Sequence, residues 1–204
     1  MQEISWKDNL RIAWFGCFLT GASISLVVPF MPIFVEQLGV KGDQVAFYSG
    51  LAISVSAISA AFVSPIWGIL ADKYGRKPMM IRAGLAMTIT MGGLAFVPNV
   101  FWLLFLRFLN GVFTGFVPNA TALIASQVPK DRSGYALGTL STGVVAGTLT
   151  GPFVGGFIAE IFGIRNVFLL VGSFLFLAAI LTILFIKENF QPVPKEKALP
   201  TKEL

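Results

Sequence analysis

Few side chains in this sequence are placed to do chemistry. Four charged residues and a Gly fall within six positions, Asp72-Lys73-Tyr74-Gly75-Arg76-Lys77, shortly after Gly68. One further cation, Arg107, stands alone inside a long apolar run, with Gly111, Gly115 and Asn119 following at intervals of four. Gly143, Gly147, Gly151 and Gly155 repeat that interval beside Pro152 and Gly156. The acids Glu36, Asp43, Asp72, Asp131, Glu160 and Glu188 lie at the ends of apolar runs or between them. There is no His, so a metal site built on His is excluded, and the lone Cys17 excludes an internal disulfide. Cys17 lies in an apolar run and reads as a small buried residue. No nucleophile stands with a base, and no metal cluster is visible. An enzyme is therefore not expected, nor a metal or a cofactor.

The runs that hold these residues are long enough to cross a bilayer. Apolar residues make up 55% of the chain, mean hydropathy is +0.80, and 12% of residues are charged. A soluble domain carries about 25% charged residues. A span needs about 20 mostly apolar residues. Six stretches qualify, near Ile12–Val35, Ala46–Ala71, Met79–Phe96, Phe101–Ser126, Tyr135–Phe162 and Asn166–Ile186. The expected fold is an all-α membrane protein, a six-transmembrane-helix bundle over residues 11–186, in the cell membrane. Residues 1–10 read as a cytoplasmic tail. Residues 187–204 read as a solvated linker or tail, with Pro192, Pro194 and Pro200 among Lys and Glu. The first run is too long for the apolar core of a cleavable signal and carries Pro29 and Pro32, so none is expected.

The net charge of +5 does not point to nucleic acid, because the bases gather at the ends of apolar runs. There they set orientation. Twelve of the 15 lie on one side: Lys7, Arg11, Lys73, Arg76, Lys77, Arg82, Lys130, Arg132, Lys187, Lys195, Lys197 and Lys202. Lys41 and Arg165 lie on the other, which places both termini in the cytoplasm. An internal repeat is also visible. Gly68-Ile-Leu-Ala-Asp72-Lys-Tyr-Gly75 aligns with Gly156-Phe-Ile-Ala-Glu160-Ile-Phe-Gly163 at an offset of 88, and a base follows each acid by five positions. One copy ends the second span and the other ends the fifth, the signature of three helices repeated in inverted orientation, 3+3.

Physics constrains the single residues. An Arg at membrane depth costs at least about 2.5–3.5 kcal/mol. Arg107 should face the bundle interior or water; the alternative is that it snorkels to the nearby interface. Glycines four apart let another helix approach closely. Pro152 removes one backbone bond, so its helix should bend. Thr20, Ser23, Ser25, Ser49, Ser54, Ser56, Ser59 and Ser64 either line a polar cavity or bond back to their own helix. Arg76 has two candidate partners, Asp72 and Asp131.

The string Gly68-x-Leu70-x-Asp72-x-x-Gly75-Arg76-Lys77 resembles the signature loop of the major facilitator superfamily, between its second and third helices. Gly147-x-x-x-Gly151-Pro152-x-x-Gly155-Gly156 resembles the fifth-helix signature of that family's drug and proton antiporters. Arg107-x-x-x-Gly111 resembles its fourth-helix pattern, whose Arg is implicated in proton coupling. The resemblance covers residues 11 to about 190. It implies about twelve helices in two halves, of which this chain holds the amino-terminal one. It implies that Gly68, Asp72, Gly75, Arg76 and Lys77 form a conformational latch, Asp72 meeting the amino end of a helix in the other half. The implied activity is export of apolar drug-like compounds against proton entry. The implied partners are the lipid bilayer, a small apolar or cationic drug-like substrate, protons and a second six-helix half. An inactive truncated bundle and half of a metabolite importer stay open as alternatives. One departure stands out: several relatives place an acid in the first helix, and no carboxylate lies mid-span here.

Overall fold

A computed structural model describes residues 5–190, and every described element is helical. Ser5 accepts a bond from the Asp8 N–H, and Asp8 adds negative charge to a helix start that is partly positive. α1 (Trp6–Val27) passes through a tight turn at Val28–Phe30 into α2 (Met31–Gln37). Pro29 and Pro32 each sit in a first turn, where a missing N–H costs little. α3 (Gln44–Tyr74) and α4 (Arg76–Gly93) are joined through Gly75 alone, and a tight turn at Leu94–Phe96 ends α4. Asn99 caps α5 (Val100–Phe113), its side-chain oxygen accepting the N–H groups of Phe101 and Trp102 at 3.1 Å each. α6 (Phe116–Gln127), α7 (Ser133–Phe162) and α8 (Ile164–Phe185) complete the described α-helices.

Among the described residues, six stretches are long and apolar enough to cross a membrane, and they coincide with the six expected ones apart from their ends. The first span starts at Trp6 rather than near Ile12, because Ser5 and Asp8 begin the helix in polar sequence. The expected amino tail is thus helical from Trp6 onward. The expected linker lies, beyond residue 190, outside the described residues.

α1 lies along α7 and also against α8, α3 along α5, and α4 along α8. An inverted repeat accounts for these contacts. If α1–α2, α3 and α4 correspond to α5–α6, α7 and α8, the α1–α7 and α3–α5 pairs exchange, α4–α8 maps onto itself, and α1–α8 maps onto the smaller α4–α5 contact. The linkers agree at backbone level. Gly75 has φ 100° and ψ 162°, Gly163 φ 85° and ψ 161°. Each donates its N–H four residues back, to Ala71 at 2.9 Å and Ala159 at 3.0 Å. Only Gly takes such angles without strain.

Two buried clusters hold the bundle together. One centres on Leu26, Phe34, Leu103, Phe168 and Val171, with the Phe34 and Phe168 rings 4.5 Å apart. The other holds Leu10, Cys17, Met80, Phe116 and Leu140. The outer faces are apolar as well, with Phe47, Phe62, Ile69, Leu149 and Phe153 exposed. Such faces suit lipid, while the helices keep their backbone polar groups bonded internally.

Candidate functional site: the cleft along the broken fourth span

The fourth span does not run as one helix. It breaks at Thr114, with ψ 169°, and Gly115, with φ 132°. Pro118, four residues after Thr114, has no N–H to offer the Thr114 carbonyl. The expected stripe is corrected accordingly. Arg107 and Gly111 belong to α5, Asn119 to α6, and Gly115 is the break between them, so the four do not form one continuous helix face. Neighbours supply donors to the carbonyls at the break. Trp67 Nε1 donates to Val112 O at 2.6 Å, Arg82 Nη2 to Thr114 O at 3.2 Å, and Asn119 Nδ2 to Gly115 O at 2.7 Å. Two α3 hydroxyls donate into α5, Ser56 to Arg107 O at 2.6 Å and Ser59 to Phe108 O at 3.1 Å. Gly111 permits this approach, since a Cβ there would overlap Ser59 Oγ and the Ser56 carbonyl.

Arg107 is only 7% exposed. Its Nε donates to Ala52 O at 3.0 Å, and its Nη1 lies 3.7 Å from Met91 Sδ. The side chain thus points into the bundle, onto a cavity of about 250 Å3 that Ser23, Ser56, Asn110 and Thr114 also line. A second cavity of about 410 Å3 shares Ala57, Ala60, Gly111 and Thr114 with the first. It runs past Trp67 and Asn119 to Gly68 and Arg76. The two make one cleft from mid-span to the Asp72 loop. Arg82, expected beside that loop, is carried inside the third span, its guanidinium carbon 3.4 Å from the Trp67 ring centre. The ion pairs among the described residues are Arg11–Asp8, Arg76–Asp72 and Arg132–Asp131, so neither Arg82 nor Arg107 has a carboxylate partner there.

At the loop, Arg76 pairs with Asp72 rather than Asp131. Asp72 remains 62% exposed. Sequence reasoning missed a second acid here. Glu188 accepts the Arg76 N–H at 2.8 Å and the Lys77 N–H at 2.7 Å, two of the unpaired donors at the start of α4. Lys77 Nζ returns a bond to Ile183 O at 3.0 Å. A Cβ on Gly75 would stand 2.9 Å from Glu188, whereas one on Gly68 would meet nothing within 4 Å. Asn9 was missed as well. It is buried and gathers Gln127 Oε1 at 2.7 Å and the Lys187 carbonyl at 2.6 Å, tying α1, α6 and the end of α8 together. Its only signal was a polar residue just ahead of the first apolar run.

The α7 glycines meet α1. A Cβ would stand 2.7 Å from Trp14 O at Gly143, 2.8 Å from Ala22 O at Gly151 and 2.5 Å from Leu26 Cδ2 at Gly155, and at Gly147 it would overlap Phe18 O. Gly156 faces open space. Pro152 leaves the Thr148 carbonyl without its usual helix donor, and Ser25 of α1 supplies one at 2.7 Å.

The sequence pattern of the Major Facilitator Superfamily matches residues 13–204. Over 204 residues the chain is 88% identical to the multi-drug resistance efflux pump PmrA of Streptococcus pneumoniae, covering all of this chain and 51% of that protein. It is 58% identical over 203 residues to a PmrA homolog of Lactococcus lactis, covering 50% of it. It is 50% identical over 201 residues to the multidrug resistance protein MdtG of Proteus mirabilis, again covering 50% of it. The chain therefore spans about half the length of the curated relatives it matches. Among solved structures it resembles the human organic anion transporter MFSD10 (TM-score 0.77, 17% identity, 96% of this chain, 50% of that one). It also resembles the POT family transporter PepTSo (TM-score 0.81, 16% identity, 94% and 40%). At these identities the two structures speak for the fold alone.

Proposed function

The chain belongs to the major facilitator superfamily, and on that premise we propose that it works as the amino-terminal half of a multidrug efflux transporter, expelling apolar drug-like compounds in exchange for protons. The observation that carries this reading is its likeness, along its whole length, to pumps of that kind. A transporter rather than an enzyme is also what the site suits, since the cleft offers one helix break and the cations Arg107 and Arg76 to a passing molecule. The chain sits in the cell membrane with both termini in the cytoplasm and works against a second six-helix half, whose contacts fall on the apolar faces of α3 and α7. Arg107 takes part in proton coupling, because it is the ionisable group held deepest in the cleft. The Asp72 loop latches one conformation against the second half, and the α7 glycines allow α1 and α7 to stay in contact as the halves rock. A cationic compound would find its counter-charge in the other half, since this one has no mid-span acid.

The test joins the chain to the carboxyl-terminal half of the pneumococcal relative and measures efflux of a fluorescent apolar dye from proteoliposomes under a proton gradient. Efflux that a protonophore collapses, and that Arg107→Ala abolishes while the protein still inserts, is the expected result. Dye uptake, or efflux indifferent to the gradient, would return the importer or inactive reading.

A further inference from the structure

Charge gathers around a second space, well apart from the cleft. Between the starts of α1 and α7 lies a cavity of about 500 Å3, which shares no lining residue with the cleft. Its floor is where the two helices meet. Trp14 Nε1 donates to Thr142 Oγ1 at 3.0 Å, and beyond that bond the α7 glycines hold α1 and α7 in contact. The first and fifth spans are both odd-numbered crossings, so they enter the membrane from the same side, and depth increases with residue number along each. The lining sorts by depth accordingly. Lys7, Arg11 and Arg132 stand toward the mouth, Trp14 and Thr139 toward the floor. Trp6 and Tyr135 line the same space, with amphipathic rings of the kind enriched where lipid heads meet hydrocarbon.

Three bases thus share a cavity that no carboxylate among the described residues lines. Asp8 and Asp131 lie next to it, 3.3 Å from Arg11 and 3.8 Å from Arg132, but both pairs are exposed. Exposed pairs of this kind are weak, and a phosphate that accepts two N–H groups from one guanidinium displaces them. The chain's own carboxyl-terminal segment is a poor occupant, since residues 187–204 carry four Lys against three Glu. A membrane lipid lies at this depth, presents a phosphate and brings its own apolar body. A zwitterionic head would set its ammonium against the three bases; an anionic head would not. We propose that this cavity binds the head of an anionic phospholipid from the leaflet on the side of the termini, its phosphate held by Lys7, Arg11 and Arg132 and flanked by Trp6 and Tyr135. The bound head links the starts of α1 and α7 across the cavity. The site is a property of this chain and does not depend on the efflux reading.

The experiment uses the purified chain in neutral detergent at fixed ionic strength and reads the thermal unfolding midpoint. Dioleoylphosphatidylglycerol, dioleoylphosphatidylcholine and soluble glycerol phosphate are titrated separately. A ligand that binds only the folded state raises the midpoint in a saturable way. The expected result is a saturable rise with phosphatidylglycerol, a much weaker one with phosphatidylcholine and none with glycerol phosphate. Lys7→Gln, Arg11→Gln and Arg132→Gln should each weaken the apparent affinity about fivefold, the contribution of one base near a lipid surface. All three side chains are exposed, so the variants keep the fold. Thr139→Phe alters no charge but fills the floor, and should weaken the affinity as much. Lys73→Gln removes a charge on the same side of the membrane but outside the cavity, where Nζ lies over the Tyr74 ring, and should change nothing. No rise with phosphatidylglycerol, or an equal rise with phosphatidylcholine, would overturn the proposal. A saturable rise with glycerol phosphate would assign the bases to a free phosphate and overturn it as well. So would an affinity that Lys73→Gln lowers as much as Lys7→Gln, or that Thr139→Phe leaves unchanged, since attraction to the lipid surface as a whole would then account for the binding.

Discussion

Glu188 accepts the backbone N–H groups of Arg76 and Lys77, whereas Asp72, at the same loop, holds only the Arg76 side chain and stays 62% exposed. The energetics differ accordingly. An exposed ion pair contributes about 0–1 kcal/mol, while hydrogen bonds to a charged group contribute about 1.5–3 kcal/mol each. Glu188→Ala should therefore destabilise the chain by about 1–3 kcal/mol, and Asp72→Asn by under about 1 kcal/mol, measured by denaturant unfolding in detergent. In a two-half transporter the order should reverse, with Asp72→Asn changing efflux strongly. Equal stability losses in the chain alone would give Asp72 a structural role here and remove the latch. The Asp72–Arg76 pair was one of two options legible in the sequence, since i,i+4 spacing is local. The Glu188 contact was not legible. It spans 111 and 112 residues and forms only when α8 brings its end beside the start of α4.

At the scale of elements, the glycine interval in α7 was readable because four-residue spacing on an unbroken helix defines a face. The structure sets that face against α1, with Ala22 O and Leu26 N about Gly151. Gly151→Leu should force the two helices apart, stop conformational exchange and lower stability by about 1–3 kcal/mol, the range for overpacking. Gly134→Leu should change little, since nothing lies within 4 Å of a Cβ there. Limited proteolysis and dye transport on both variants check this, and equal tolerance would mean that the α1–α7 contact is dispensable. The same spacing rule failed in the fourth span. It presumes a continuous helix, and Gly115 with Pro118 breaks this one. The break persists because Trp67 and Arg82 satisfy the carbonyls beside it, and those partners come from other helices. Arg82 looked like a loop base for the same reason: only the packing of α4 shows how far inside the span it lies.

For the whole molecule, six spans and an inverted repeat were legible because apolar length, base placement and the 88-residue offset are properties of the chain alone. Orientation is the part that still rests on charge. With Arg82 removed from the count, eleven bases remain on the side of the termini and two, Lys41 and Arg165, on the other. Arg165 is less an orientation signal than it looks, because it donates to Ala95 O at 2.6 Å and Val97 O at 3.2 Å and so braces the turn between the third and fourth spans. The bias therefore strengthens rather than weakens, and Lys41 becomes the informative exception. The natural Cys17 is buried and should stay silent to a thiol reagent, so Cys17→Ser gives a clean background. In it, Lys41→Cys places a thiol in the exposed loop between α2 and α3, and Lys130→Cys places one in the exposed loop between α6 and α7. A membrane-impermeant maleimide added to intact cells should label the Lys41→Cys variant and leave the Lys130→Cys variant unlabelled until the membrane is opened. The reverse pattern would put the termini outside. The Asp72 loop would then face the exterior, and its role as a cytoplasmic latch would fall with the orientation. Labelling of both in intact cells would mean two orientations coexist, which an eleven-to-two bias does not permit.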